Sequence, residues 1–209
     1  MSKVILCFSI PFFLLVIPGC GSDDDLMQGE QSQPLIRIAD GQFEIDAMPE
    51  TSTDLGSGTI AFTYDGDVTG TFSASGALQE NQRESGGAGG RLLRVLDEVL
   101  GGFTDGFTLI GFHPTGDGKA EALIVGSNAN SGPIETLTPG VYGIGPLAPF
   151  TGVFLKGVDI DDFWAGEKDL VQVSEVGVVF TQGSLSVTSR DSTHVVGTFW
   201  ASSEPVSGN

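Results

Sequence analysis

Residues 58–76 read "GTIAFTYDGDVTGTFSASG", and the way this stretch folds decides the class of the whole chain. Ile60, Phe62 and Tyr64 alternate with polar or small residues. Past Asp65-Gly66-Asp67, Val68, Phe72 and Ala74 share one parity, with Thr69, Thr71 and Ser73 on the other. A period of two sends one set to a buried face of a strand and the other to water. Two such runs joined through Asp-Gly predict a β-hairpin.

The same pattern returns at 183–203, "GSLSVTSRDSTHVVGTFWASS". Gly70-Thr71-Phe72 is matched by Gly197-Thr198-Phe199, across a longer turn. Two copies are too few for a solenoid or propeller. They are either a true internal repeat or one solution to strand pairing reached twice. Phe199 and Trp200 are adjacent in the closing strand, so they point to opposite faces.

N-terminal to this hairpin, Asp40-Gly41 between "LIRIA" and "QFEIDA" predicts another. A further one is expected at 107–113 and 119–126, around Thr115-Gly116-Asp117-Gly118. "PGVYGIG", "TGVFLKG" (151–157) and "VGVVFTQG" (176–183) read as shorter strands. Short strands between regular turn signals predict an all-β fold, an antiparallel β-sandwich or partly open barrel. One segment departs from this. In "GGRLLRVLDEVLGG", Leu92, Leu93, Leu96, Val99 and Leu100 recur at helical spacing, which predicts one short amphipathic helix over 91–100. The preceding "ESGGAGGR" lacks the Gly-Lys-Ser/Thr ending of a phosphate loop and reads as a flexible loop.

Composition narrows the function classes. The 209 residues include 31 glycines, about twice the usual share, and 10 prolines, which favours turns over long helices. The formal charge is −18, from 27 acidic and 9 basic side chains. Such a surface repels phosphate backbones, so nucleic-acid binding is not expected, nor docking to anionic lipid through a basic patch. Cys7 and Cys20 are the only cysteines. A body without cysteine after position 20 holds no disulfide, thiolate metal site or thiol nucleophile.

The N-terminus explains Cys20. Lys3 precedes an apolar run, Val4 to Ile17, shorter than the roughly 20 residues a spanning helix needs. The run ends Ile17-Pro18-Gly19-Cys20, which resembles the lipobox of bacterial lipoproteins, with Pro18 where Ala, Ser or Thr is commoner. The resemblance implies cleavage before Cys20 and attachment of acyl chains to its sulfur. At about 0.8 kcal/mol per buried methylene, several chains make a lasting membrane anchor. "GSDDDLMQGEQSQP" then reads as an acidic tether. Ser22-Asp23-Asp24-Asp25 resembles the acidic export signal of Bacteroidota surface lipoproteins, and a plain acidic tether is the equal alternative. The closing hairpin, with "LTPGVYGIG" before it, is similar to uncharacterised Bacteroidota-type lipoproteins with small all-β domains. That resemblance implies no catalytic residues. The expected organisation is a signal peptide over 1–19, a lipidated Cys20 with its tether over 20–34, and an all-β domain over 35–205. The expected location is the cell envelope, at the outer membrane and open to surface exposure.

One segment carries residues suited to ligand chemistry. "GVDIDDFWAGEKD" (157–169) sets Asp159, Asp161 and Asp162 beside Phe163 and Trp164. Carboxylates bind calcium or sugar hydroxyls, and an exposed ring stacks on a sugar. The alternative is a polar loop whose rings tuck into the core. His113 and His194 would form a metal site only by converging with a carboxylate. Asp191, Ser192 and His194 in one turn lack triad geometry. No cofactor is expected, calcium at 157–169 excepted. The leading expectation is a non-catalytic binding or structural module on a lipid anchor. A carbohydrate or calcium binder using 157–169 comes second. A hydrolase or a carrier of small hydrophobes comes last.

Overall fold

The hairpin expected at 58–76 forms as β3 (Ser57–Gly66) and β4 (Gly70–Ala77), with Phe62 opposite Phe72 and Tyr64 opposite Gly70. Its counterpart forms as β11 (Gln182–Arg190) and β12 (His194–Ser202). Between the two hairpins runs β1 (Ile36–Asp46), antiparallel to both β3 and β12. The computed structural model describes residues 33–49, 55–79, 81, 83–97, 102–127, 137–165 and 170–205. The signal expected over 1–19, Cys7, Cys20 and the expected tether up to residue 32 lie outside the described residues.

The Asp40-Gly41 hairpin expected from sequence does not form. Both segments belong to the single strand β1, and the register slips between Ile38 and Gly41 against β12. The Asp-Gly pair is a β-bulge there. With partners on both sides, the chain gains more by continuing through an irregularity than by turning back.

The remaining strands are β2 (Met48–Pro49), β5 (Gly87–Asp97), β6 (Gly102–Gly116), β7 (Lys119–Ser127), β8 (Gly140–Ile144), β9 (Phe150–Asp159) and β10 (Val176–Val179). The sheet order is β2-β5-β6-β7-β9-β8-β11-β12-β1-β3-β4, with β10 beside β9, and the sheet curls into a nearly closed barrel. The β6–β7 turn is tighter than its four-residue signal: Asp117 and Gly118, at φ 53° and 73°, carry it. Both central residues are left-handed, as the twist of a two-residue hairpin requires.

Two expectations fail along β5. The helix over 91–100 is not formed: residues 87–97 are strand, paired with β6 from Gly87 opposite Phe112 to Asp97 opposite Gly102. Residues 98–100 lie outside the described residues. Helical spacing over ten residues is a marginal driving force, and an eleven-residue ladder overrides it. Nor is "ESGGAGGR" a loose loop, since Gly86 to Gly90 are buried. Here the barrel seam nearly closes. Gly90 N donates to Leu55 O at 2.7 Å, and a Cβ on Gly87 or Gly89 would run into the carbonyl of Ala77 or Leu55. The segment is glycine-rich because two backbones approach each other there.

The lumen is packed solid. Phe62 stacks on Phe72 at 4.6 Å and meets Phe154 and Phe199 edge-on at 5.8 and 5.7 Å. Ile38, Ile45, Ile60, Leu109, Leu123, Val125, Leu185 and Val195 join the same cluster. Large rings need space, and glycines on neighbouring strands provide it. Gly41 lies opposite Phe199, Gly197 opposite Phe43 and Gly70 opposite Tyr64. A Cβ at any of the three would overlap the facing ring. The Gly-Thr-Phe likeness thus has a common cause. In each copy the glycine accommodates a ring on the next strand, the phenylalanine fills the lumen and the threonine faces water.

A second apolar layer lies outside the barrel. Ile110, Phe112, Ala120, Ala122, Leu155 and Val158 face outward from β6, β7 and β9 and pack with α1 (Ile160–Ala165). Leu170 and Val171 of α2 (Leu170–Val173) pack against this layer. The first and last strands are also joined just beyond their ladder: Ile36 N donates to Ser203 Oγ at 2.8 Å, and Ser203 N donates to Ile36 O at 3.0 Å.

Candidate functional site

The 157–169 segment turns its rings inward. Phe163 and Trp164 are 1% and 5% exposed, and both pack on Phe112, at 4.5 and 5.8 Å. They offer no face for stacking on a sugar. Asp159 caps α1, its Oδ1 accepting from the backbone N–H of Asp161 at 2.9 Å and of Asp162 at 3.4 Å. Asp161 is exposed and pairs with Arg83 at 2.6 Å. Among the described residues no group of three or more His, Cys, Asp or Glu side chains is arranged to hold a metal ion.

Sequence reasoning missed a polar cluster at one end of the lumen. Glu121 on β7 is buried and sits directly across from Lys156 on β9. Lys156 Nζ donates to Glu121 Oε1 at 2.7 Å and to Tyr64 Oη at 2.8 Å. Tyr64 reaches over from β3, and its hydroxyl donates to the same Glu121 oxygen at 2.8 Å. The hydrogen bond to Glu121, then that to Tyr64, raises the Lys156 ammonium above its ordinary pKa. Burial, first of all, pushes the Tyr64 phenol up. At neutral pH the lysine stays protonated and the phenol neutral. A signal for the cluster did exist: Glu121 shares the parity of Leu123 and Val125, which puts a carboxylate on the lumen face. Its partners come from strands 35 and 57 residues away, which no local pattern reveals.

The histidines do not converge. His113 lies across from Glu121 in register, with its ring edge-on to Phe72 at 6.2 Å. His194 sits at the other end of β1, its Nδ1 2.9 Å from Asp46 Oδ1 and its Nε2 3.4 Å from Glu44 Oε1. The hydrogen bond with Asp46 raises the His194 pKa above its ordinary value. Asp191 accepts from the backbone of His194 at 3.0 Å and of Thr193 at 3.3 Å, so it closes the β11–β12 turn and leaves the imidazole to Asp46.

The outer face of the two matched hairpins carries the remaining feature. Phe199 and Trp200 lie on opposite faces, as their adjacency predicts, and it is Trp200, 44% exposed, that faces outward while Phe199 is buried. Trp200 borders a cleft of about 210 Å³, lined also by Ala39, Asp40, Gly41, Gln42, Ser184, Thr198 and Phe199. A second cleft of about 260 Å³ shares Gln42 and Thr198 and continues along Glu44, Thr59, Ala61, Thr188 and Val196. The first lies over the β1 bulge, which sets Asp40 and Gln42 beside the indole.

No protein-family model, no curated protein and no solved structure matches this chain.

Proposed function

We propose that the chain is a lipid-anchored lipoprotein of the cell envelope, held at the outer membrane through Cys20, and that its barrel is a non-catalytic binding module. Ile17-Pro18-Gly19-Cys20, at the end of a short apolar run and ahead of an acidic tether, supports the anchor. The observation that carries the non-catalytic reading is the state of the lumen. Aromatic rings fill it, which argues against a carrier of small hydrophobes. The buried carboxylate at its end is held by Lys156 and Tyr64. General bases and nucleophiles work when pKa values are brought toward neutrality. Here both shifts move away from it. Recognition is therefore assigned to the outer wall of the barrel.

The test of the anchor is Cys20→Ser, with wild-type cells fed an alkyne-bearing fatty acid. The wild-type chain should take up the label and fractionate with membranes, and the variant should do neither. A wild-type N-terminal peptide without acyl mass would overturn the reading.

A further inference from the structure

We infer that the Trp200 cleft on the outer face of β11, β12 and β1 binds a neutral saccharide. This names the ligand class for the binding module proposed above and rests on that reading.

The indole is exposed, although its chain neighbour Phe199 is buried. Cross-strand register sets Ser184 beside Trp200, while Thr198 stands between Ser186 and Gln42. An indole face packs on the C–H face of a pyranose ring. Hydroxyl, amide and carboxylate groups around it match the mixed donors and acceptors of sugar hydroxyls. Asp40, Gln42, Ser184 and Thr198 supply all three chemistries at the cleft wall. Gln42 and Thr198 are shared with the second cleft, so the two run end to end along the sheet, as consecutive sugar units require.

Charge selects within the class. Asp40 lines one cleft, Glu44 the other, and the chain carries −18, so uronic-acid or sulfated glycans are disfavoured. The surroundings also argue against a protein partner. A tryptophan anchor of a protein interface becomes fully desolvated in the complex, so the partner would have to satisfy every polar group around it. Trp200 has Ser184, Thr198, Gln42 and Asp40 around it.

The experiment uses the full chain in detergent, run by affinity electrophoresis through gels containing xylan, laminarin, mannan or hydroxyethyl cellulose, with calorimetry for chitin oligosaccharides. At least one of these should bind. Trp200→Ala should weaken that binding at least tenfold and Gln42→Ala several-fold, with Trp200→Phe keeping most of it. Both positions are exposed, so melting temperatures should stay at the wild-type value. If a glycan binds Trp200→Ala as well as wild type, this cleft is overturned and the binding-module reading stands. If none of the panel binds, saccharide recognition is overturned. The acyl label on Cys20 still reports the anchor independently.

Discussion

On β6, β7 and β9 the outward positions hold Ile110, Phe112, Ala120, Ala122, Leu155 and Val158, and α1 packs with them. On β12, β1, β3 and β4 they hold Thr198, Gln42, Thr59, Ala61, Thr63, Thr71 and Ser73, all exposed. Both faces are the outside of one continuous sheet with a shared lumen. The first is covered by the chain's own helix, because its side chains gain by leaving water. The second carries mostly small, hydroxylated side chains, with Arg37, Gln42, Glu44 and Asp46 along β1, each easily solvated, and Trp200 stands among them. Buried packing outside the lumen is concentrated on one wall of the barrel, and the proposed recognition falls on the other.

Truncating one ring on each wall separates their two roles. Phe163→Ala removes a buried ring from the covered face and should cost about 3–5 kcal/mol in urea unfolding. Trp200→Ala should stay within about 0.5 kcal/mol. Equal losses would mean that the open wall is as structural as the covered one. A somewhat smaller effect is expected inside the lumen. Lys156→Met leaves the buried Glu121 without its cation and should cost about 3 kcal/mol, the low end for a buried pair, because the lysine side chain is 35% exposed. Adding Glu121→Leu should recover most of that loss. If the double variant is no better than the single, the pair is not what the end of the lumen relies on.

The smallest effect lies at the rim, where His194 meets Asp46. The native state holds the imidazolium more firmly than the unfolded chain does, since the bond with Asp46 raises the pKa. That stability is fully present below the unfolded value of 6.5 and fades as pH rises through the raised native value. The melting temperature should therefore slip slightly as pH rises above about 6.5. In Asp46→Asn the slip should shrink. An unchanged slope would assign it to another group.

Most strands were legible because period two survives in short segments: β3, β4, β11 and β12 lie where alternation puts them. What failed was local evidence overruled by partners distant in the chain. Asp40-Gly41 carries a hairpin signal, yet β12 and β3 flank it and make it a bulge. Leu92, Leu93 and Leu96 carry helical spacing, yet β6 pairs with the whole segment. The acidic and aromatic residues at 159–164 looked like a site because adjacency in sequence suggested a shared surface. Instead a helical turn sends Phe163 and Trp164 inward and Asp161 outward. The Trp200 cleft was half legible. Alternation put Phe199 and Trp200 on opposite faces without saying whether the indole is covered, and Asp40 and Gln42 reach it only through β1, far away in the chain.

That pairing bears on how the molecule is made. Ile36 and Ser203 are bonded across 167 positions. Any chain delivered from its N-terminus has its first strand early and waits for the last hairpin to complete it. Until then the β12-facing edge of β1, from Ile38 to Ile45, presents unpaired amides and carbonyls, the template for sticking to other chains. Bringing such distant segments together is slow, so closure of the cylinder is expected to be a late event in folding. Losing even the final dozen or so residues would therefore harm solubility out of proportion to the number removed.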